Sequence, residues 1–299
     1  MVSAEVVFLG TGTSEGVPRV SCLTRNPIVC RVCQSSMKRG SKNRRRNTSL
    51  AIQFQEPQGD AFNIIVDVGK FFWHSAIEWF PKYGINTIDA VVLTHSHADA
   101  AGGLDDLRDW TNNVQNAIPV YLRPQDLDVV ARTHFYLVND GEQTGGGGVS
   151  KLEFRTIGDS PFKIGGLTFI PLPVMHGDSY TAYGYRFGDF SYISDASAIP
   201  DSTADLITGS DILVMDALRP NRQHRSHFTL DEAIEQASLF KARKTLFVDM
   251  THDIDHESVN TRLSNYQQSH GLDIQLAYDG LRIKTQLPID LRASSETRT

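Results

Sequence analysis

No stretch of this sequence approaches the roughly 18 consecutive apolar residues that a membrane-spanning helix requires. The opening segment, MVSAEVVFLGTG, has neither a basic leader nor a long apolar run, so no secretory signal is expected. Cysteine is scarce and odd in number, three in 299 residues, which excludes the dense, even disulfide framework of a small secreted domain. A long Gly-, Pro- or Ser-rich linker is also missing. The expectation is one domain over residues 1–285 and a polar C-terminal tail over 286–299. Positive charge is not in excess: the net charge is −6, which argues against a protein coated in nucleic acid. These absences point to a cytoplasmic protein, or a nuclear one, with reduced thiols and no membrane partner.

What is present is a mixture of strand and helix patterns along the whole chain. Strands are expected at residues 5–9, 48–54, 63–67, 88–93, 120–122, 152–156, 167–171, 182–187, 191–193, 211–215, 244–248, 273–276 and 281–285. Helices are expected at 71–82, 104–110, 124–138 and 230–240, with another from His256. The loop EQTGGGGVS, residues 142–150, spends too much backbone entropy on glycine to sit inside an element and can serve as a lid. Two strand-rich halves with helices imply an α/β protein with two sheets covered by helices. The early GTGTSEG fails the dinucleotide fingerprint, because its glycine spacing is wrong and Pro18 and cysteines follow instead of a helix.

The chemistry-bearing residues recur at the ends of apolar strands. LTHSHADA places His95, His97 and Asp99 just after a buried strand, and an HxH pair in extended chain presents both rings on one side. FIPLPVMHG ends near His176, FSYISD on Asp195, and TLFVDMTH on His252. Imidazole with carboxylate suits zinc, manganese or iron. His74, His134 and His270 stand alone and read as structural. CLTRNPIVCRVC brings Cys22 near the pair Cys30 and Cys33, whose C-x-x-C spacing lets two thiolates meet one zinc. His256 is the candidate fourth donor. A Cys30–Cys33 disulfide, or plain buried thiols, are the other readings. KRGSKNRRR, residues 38–46, is a basic run without an aromatic residue to stack on bases, more in keeping with a solvated loop than with a nucleic-acid grip.

The order of these motifs, together with GTGTS near the start and SHFTLDEA later, resembles the metallo-β-lactamase superfamily over roughly residues 5–285. The resemblance is nearest to its phosphodiesterase branch, which includes phosphoribosyl cyclic phosphodiesterase and tRNase Z. It implies an αββα sandwich, two packed mixed β-sheets flanked by helices. It implies that His95, His97 and His176 hold a first metal, that Asp99 and His252 hold a second, and that Asp195 bridges the two. It implies a structural zinc of the Cys₃His type, and a substrate-facing histidine, here His227, that protonates the leaving oxygen. His224 has no assigned role. The family's histidine after the aspartate falls on Ala100, whose methyl cannot bind a metal. Asp105 or Asp106 is a candidate replacement, and a site richer in oxygen favours manganese over zinc.

The function these residues imply is metal-dependent hydrolysis of a small or cyclic phosphodiester, with Asp99 and His227 as catalytic groups. The cofactors are one or two divalent ions, Zn or Mn, plus the structural Zn. The partner is the small substrate, with nucleic acid disfavoured and a homodimer compatible. The other readings are a tRNA 3′-end endonuclease, a thioesterase or lactonase on the same scaffold, and a non-catalytic metal-binding protein.

Overall fold

The computed structural model describes residues 1–55, 59, 61–139 and 148–290. The glycine-rich loop lies largely outside these residues, as does most of the expected tail. The described residues form two seven-stranded mixed sheets with helices on them. The strands are β1 (Val2–Gly10), β2 (Ser49–Gln55), β3 (Ala61–Val66), β4 (Ala90–Val92), β5 (Ile118–Leu122), β6 (Leu152–Thr156) and β7 (Phe162–Ile164). There follow β8 (Leu167–Met175), β9 (Thr181–Phe187), β10 (Phe190–Tyr192), β11 (Ile212–Asp216), β12 (Lys244–Val248), β13 (Ile274–Leu276) and β14 (Arg282–Leu287). One sheet has the order β14-β1-β2-β3-β4-β5-β6 and the other β13-β12-β11-β10-β9-β8-β7.

Both sheets change from antiparallel to parallel pairing part-way across. β2–β3 is antiparallel, whereas β3–β4, β4–β5 and β5–β6 are parallel. In the same way β8–β9 and β9–β10 are antiparallel, whereas β10–β11, β11–β12 and β12–β13 are parallel. Parallel strands need helical crossovers and are covered on both faces, so they read as unbroken apolar runs. AVV in β4 and ILVMD in β11 are buried at every position. The ends of such strands are where open α/β sheets place their sites.

By their internal contacts the residues divide into two compact units. One comprises Met1–Leu9, Ser49–Thr168 and the chain from Arg282; the other comprises Gly10–Thr48 and Phe169–Leu281. Each unit has its own core. In the first, the helix Phe72–Tyr83 buries Phe72, Ala76, Trp79 and Phe80, spaced as one helical face, beside Val7, Ile65, Val91 and Val120. Gly84 ends this helix in the left-handed conformation (φ 68°) that glycine adopts freely. Truncating a buried ring such as Phe80 to alanine costs about 3–5 kcal/mol.

In the second unit the helix Leu230–Phe240 starts at a capping box. Thr229 accepts from the Glu232 backbone, and Glu232 reaches back to the Thr229 N–H. Its buried face, Leu230, Ala233, Ile234, Ala237 and Phe240, packs with Leu213, Met215 and Phe247.

The sequence expectations differ from the structure in three instructive places. The helix expected over 124–138 is two, Pro124–Thr133 and Phe135–Val138, because His134 leaves helical geometry (φ −131°, ψ 49°). No glycine or proline marks that break. β8 continues past Pro171 and Pro173 to Met175. Both prolines lie in the same phase of the strand, so their missing N–H groups fall on the edge away from β9. The short helices Val20–Leu23, Arg31–Ser36 and Asp201–Ile207 were not anticipated, being too brief to show periodicity.

Candidate metal centres

In the first unit the chain leaves β4 into Thr94 and His95, both fully buried. His97 is the residue before the four-residue helix Ala98–Ala101, which carries Asp99. The rings of His95 and His97 stand 4.7 Å apart, and His95 Nε2 lies 3.6 Å from Asp99 Oδ1. The orientation of His95 is set from behind. Its Nδ1 is 2.9 Å from the Thr94 hydroxyl, and that hydroxyl donates to Asp67 Oδ2 at 2.8 Å. A hydroxyl has one hydrogen. With that hydrogen given to Asp67, Thr94 accepts from His95 Nδ1–H, which leaves Nε2 as the lone-pair nitrogen. Metal-binding histidines are held in this way. Asp67 also accepts from the Thr94 N–H at 2.8 Å, and it sits in the left-handed region (φ 64°), a conformation an aspartate holds only where its surroundings enforce it.

Ala100 is buried, and its carbonyl accepts from Val68 N at 2.7 Å. Neither proposed substitute donor is poised to replace it. Asp105 is paired with Arg108 at 2.6 Å, and Asp106 accepts from the Trp73 N–H, at 3.3 Å, at the start of the helix Phe72–Tyr83. Burial raises the Asp106 carboxyl above its usual range.

In the second unit four strand ends supply the groups. His176 follows β8 and Asp195 follows β10; Asp216 ends β11 and Asp249 follows β12. All four are buried. His176 Nδ1 donates to the Ser226 carbonyl at 2.8 Å, so its Nε2 is again the lone-pair nitrogen. Ligand atoms of His176, Asp195 and His227 all lie within 4.8 Å of one another. His227 Nδ1 stands 2.8 Å from Asp216 Oδ2 and 3.1 Å from Asp249 Oδ2. The same Asp216 oxygen accepts from Ala196 N at 3.0 Å. Burial works against a charged His227, but the two carboxylates prevail and push it up to about 12. Burial raises Asp216 to about 7 despite the ring beside it, and raises Asp249 well above the carboxylate range. His224 is exposed, and its ring lies 5.0 Å from that of His227.

Sequence reading passed over Asp67, Asp216 and Asp249. Each stands at the end of an apolar strand, in NIIVD, ILVMD and TLFVD. That is the signal already used for Asp195, so it was present and unused.

The three cysteines are brought together, and with them His252 instead of His256. His252 Nδ1 lies 3.2 Å from Cys22 Sγ, 3.4 Å from Cys30 Sγ and 3.5 Å from Cys33 Sγ. No disulfide links Cys30 to Cys33, for all three thiols are free. Burial pushes the Cys33 thiol up to about 12. His256 opens the helix His256–His270 behind its cap, Asp255. Its backbone N–H donates to Asn43 and its Nε2 meets Asn260 Nδ2 at 2.9 Å. Burial lowers its pKa to about 3. His256 is engaged elsewhere, and the turn that carries His252 is held by Arg45. This buried residue of the basic run donates to the carbonyls of Thr251, at 2.9 Å, and Ile254, at 2.8 Å, on either side of His252. The expectation that His252 serves the second catalytic metal is corrected with it. Three sulfurs and one imidazole nitrogen, all within 4.8 Å, are a soft, closed donor set of the kind that suits zinc.

Lys38, Arg39 and Lys42 of the basic run are exposed, whereas its last residues bond to the body of the unit. Arg44 Nε donates to the Ser36 carbonyl at 3.0 Å, and the Arg46 N–H donates to Asp279 at 2.9 Å.

Comparison with known proteins places this architecture. The β-lactamase superfamily domain matches residues 63–250. The chain is similar to a crystal structure described as a new diphosphatase from the PhnP family, at 32% identity over 96% of this chain and 99% of that one, with a TM-score of 0.79. It is similar to a curated octanoyltransferase of Porphyromonas gingivalis, 30% identical over 275 residues, 92% of this chain and 50% of that protein. The chain thus spans about half the length of that relative. Human tRNase Z, short form, shares the fold at 18% identity, over 95% of this chain and 100% of that one, with a TM-score of 0.60. Among the described residues no helix is long and apolar enough to cross a membrane. With two mixed sheets flanked by helices and histidines and acids at their strand ends, the chain belongs to the metallo-β-lactamase superfamily of hydrolases.

Proposed function

We propose that this member hydrolyses a small or cyclic phosphodiester with a divalent ion, zinc or manganese, and that Cys22, Cys30, Cys33 and His252 hold a structural zinc. The observation that carries the reading is the way His95 and His176 are held. Each gives its Nδ1–H to an oxygen and keeps Nε2 for a metal. The family order of motifs assigns His95, His97 and His176 to one ion, with Asp195 beside it. Similarity along nearly the whole chain to a diphosphatase supports phosphorus over carbonyl carbon as the electrophile. The octanoyltransferase name belongs to a protein of which this chain matches half, so acyl transfer is not carried over.

A bound divalent ion would supply a nucleophile usable at neutral pH and neutralise charge on the phosphoryl oxygens. The chain's own residues do the rest. Asp99, with its oxygen near His95, orients the attacking water and takes its proton. His227 holds both ring protons, gives Nδ1–H to Asp216, and offers Nε2–H to the leaving oxygen. Turnover on cyclic and linear phosphodiesters, thioesters and lactones, with His97→Ala as the blank, tests the reading. Phosphodiester hydrolysis that vanishes in the blank is expected. Turnover only on the thioesters or lactones overturns it. His227→Ala should lower turnover by about 10²–10⁴-fold, and unchanged turnover would remove His227 from the mechanism.

A further inference from the structure

We infer that a cleft between the basic run and the start of the helix His256–His270 binds a phosphorylated small molecule, whose phosphate pairs with Lys38 and Arg39 and accepts from the Nδ1–H of His256. The cleft lies wholly within the second unit and is lined by none of the residues of the candidate metal centres. Lys38, Arg39 and Lys42 line it from the basic run, and Asp255, His256 and Glu257 from the helix start. Its volume of about 530 Å³ falls within the range of sites that take small ligands.

His256 is the residue that asks for a ligand. It is 2% exposed, and its two ring nitrogens are served unequally. Asn260 decides which is which. Its Oδ1 accepts from the Leu276 N–H at 2.9 Å, so its amide nitrogen faces the ring and donates to His256 Nε2 at 2.9 Å. An Nε2 that accepts leaves the ring hydrogen on Nδ1. That Nδ1 is buried and has no hydrogen-bond partner. A buried donor without an acceptor is uncommon and costly, and the cleft that the ring lines is where an acceptor oxygen can enter.

The charges decide which kind of oxygen. From Gly16 to Gln55 the sequence carries nine arginines and lysines and no acid, in a chain of net charge −6. Lys38 and Arg39 are exposed, and neither side chain is paired with a carboxylate among the described residues. The acids across the cleft are already engaged. Asp255 accepts from Asn43 Nδ2 at 2.8 Å and from the Ser258 N–H at 3.0 Å, and Glu257 lies 3.8 Å from Lys42. The unengaged charge is therefore positive. A phosphate offers several acceptor oxygens to two cations and a neutral N–H together. No Phe, Tyr or Trp lines the cleft, so it has no platform on which a nucleic-acid base could stack.

The test uses full-length, zinc-loaded protein and glucose 6-phosphate as the probe. Nitrogen-15 spectra of the histidine rings report which nitrogen carries hydrogen. His256 should show Nδ1–H, and excess glucose 6-phosphate should shift that signal. An Nε2–H ring in the free protein, or an unmoved signal, overturns the proposal. By calorimetry, binding should weaken by about 10-fold or more in Lys38→Ala/Arg39→Ala, two exposed positions. His256→Gln should weaken it too, and His256→Asn, whose amide nitrogen stands near the Nδ1 position, should recover part of the loss. Equal affinity in the parent and the double variant overturns the proposal, since the phosphate would then sit at a metal centre. A short RNA that binds more tightly and displaces glucose 6-phosphate overturns it in favour of a nucleic-acid surface. Phosphodiester turnover is not part of the readout, so the cleft stands or falls apart from the proposed function.

Discussion

Two histidines of the second unit sit in opposite surroundings. His252 faces three thiols, and His227 faces two carboxylates. Around His252 three sulfurs gather at its Nδ1, while the Arg19 guanidinium meets its Nε2 at 3.0 Å on the other side of the ring. Around His227 the ring itself is the cation. The neighbourhoods differ in one further respect. The thiols are softer ligands than carboxylates and bind zinc in closed four-donor sites, whereas a carboxylate beside an imidazole takes its N–H, as Asp216 does from His227 at 2.8 Å. The contrast teaches that the same imidazole is turned to opposite uses by the softness and charge of the groups around it.

The sharpest way to break the contrast is to damage the sulfur cluster. Cys33→Ser should release its ion and loosen the segment around Val17, Cys22 and Val32 that packs on Cys33. The loss should be about 3–5 kcal/mol, seen as a lower urea midpoint, because metal binding there is folding energy. An unchanged midpoint would mean the thiols hold nothing.

A smaller effect separates His252 from His256, four residues away. Burial holds His256 at about 3 in the folded chain against an ordinary value of 6.5. The folded pKa is depressed, so its contribution is present above pH 6.5 and lost as pH falls from there through 3. By pH 4.5 the loss should be about 2–3 kcal/mol. His256→Gln should flatten that part of the acid limb and leave the zinc content alone. A variant as acid-sensitive as the parent would show that other groups set the limb.

The smallest effect concerns the hydrogen bond behind His95. Thr94→Val removes the acceptor of its Nδ1–H and the link to Asp67, with nearly the same volume. Affinity for the catalytic ion should fall by about 10–100-fold. Zinc at the cysteines should be retained, which a competition titration with a chromogenic chelator reads separately.

Much of the site was legible because strand ends leave a plain trace in sequence. His95, His97, Asp99, His176 and Asp195 each follow an apolar run, and a buried parallel strand needs such a run whatever its neighbours are. The helix Leu230–Phe240 was readable for a similar reason, since a 3.6-residue stripe is local, while the choice of Thr229 as its cap came from the structure. Asp67, Asp216 and Asp249 carried the same trace and were passed over, for an aspartate after a strand also reads as an ordinary turn residue.

By itself, then, the sequence determined the class of fold, the strands that carry the donors, and the presence of a cysteine cluster. Those features depend on periodicity and on neighbours within a few residues. Only the tertiary structure decided the partners. Arg45 meets Thr251 and Ile254 across some two hundred positions of chain, and between those two residues His252, not His256, meets the cysteines. Asp216 and Asp249 end two different strands and converge on one nitrogen of His227. Which donor meets which depends on strand order and on charges being satisfied where water is excluded, and neither is written in local spacing.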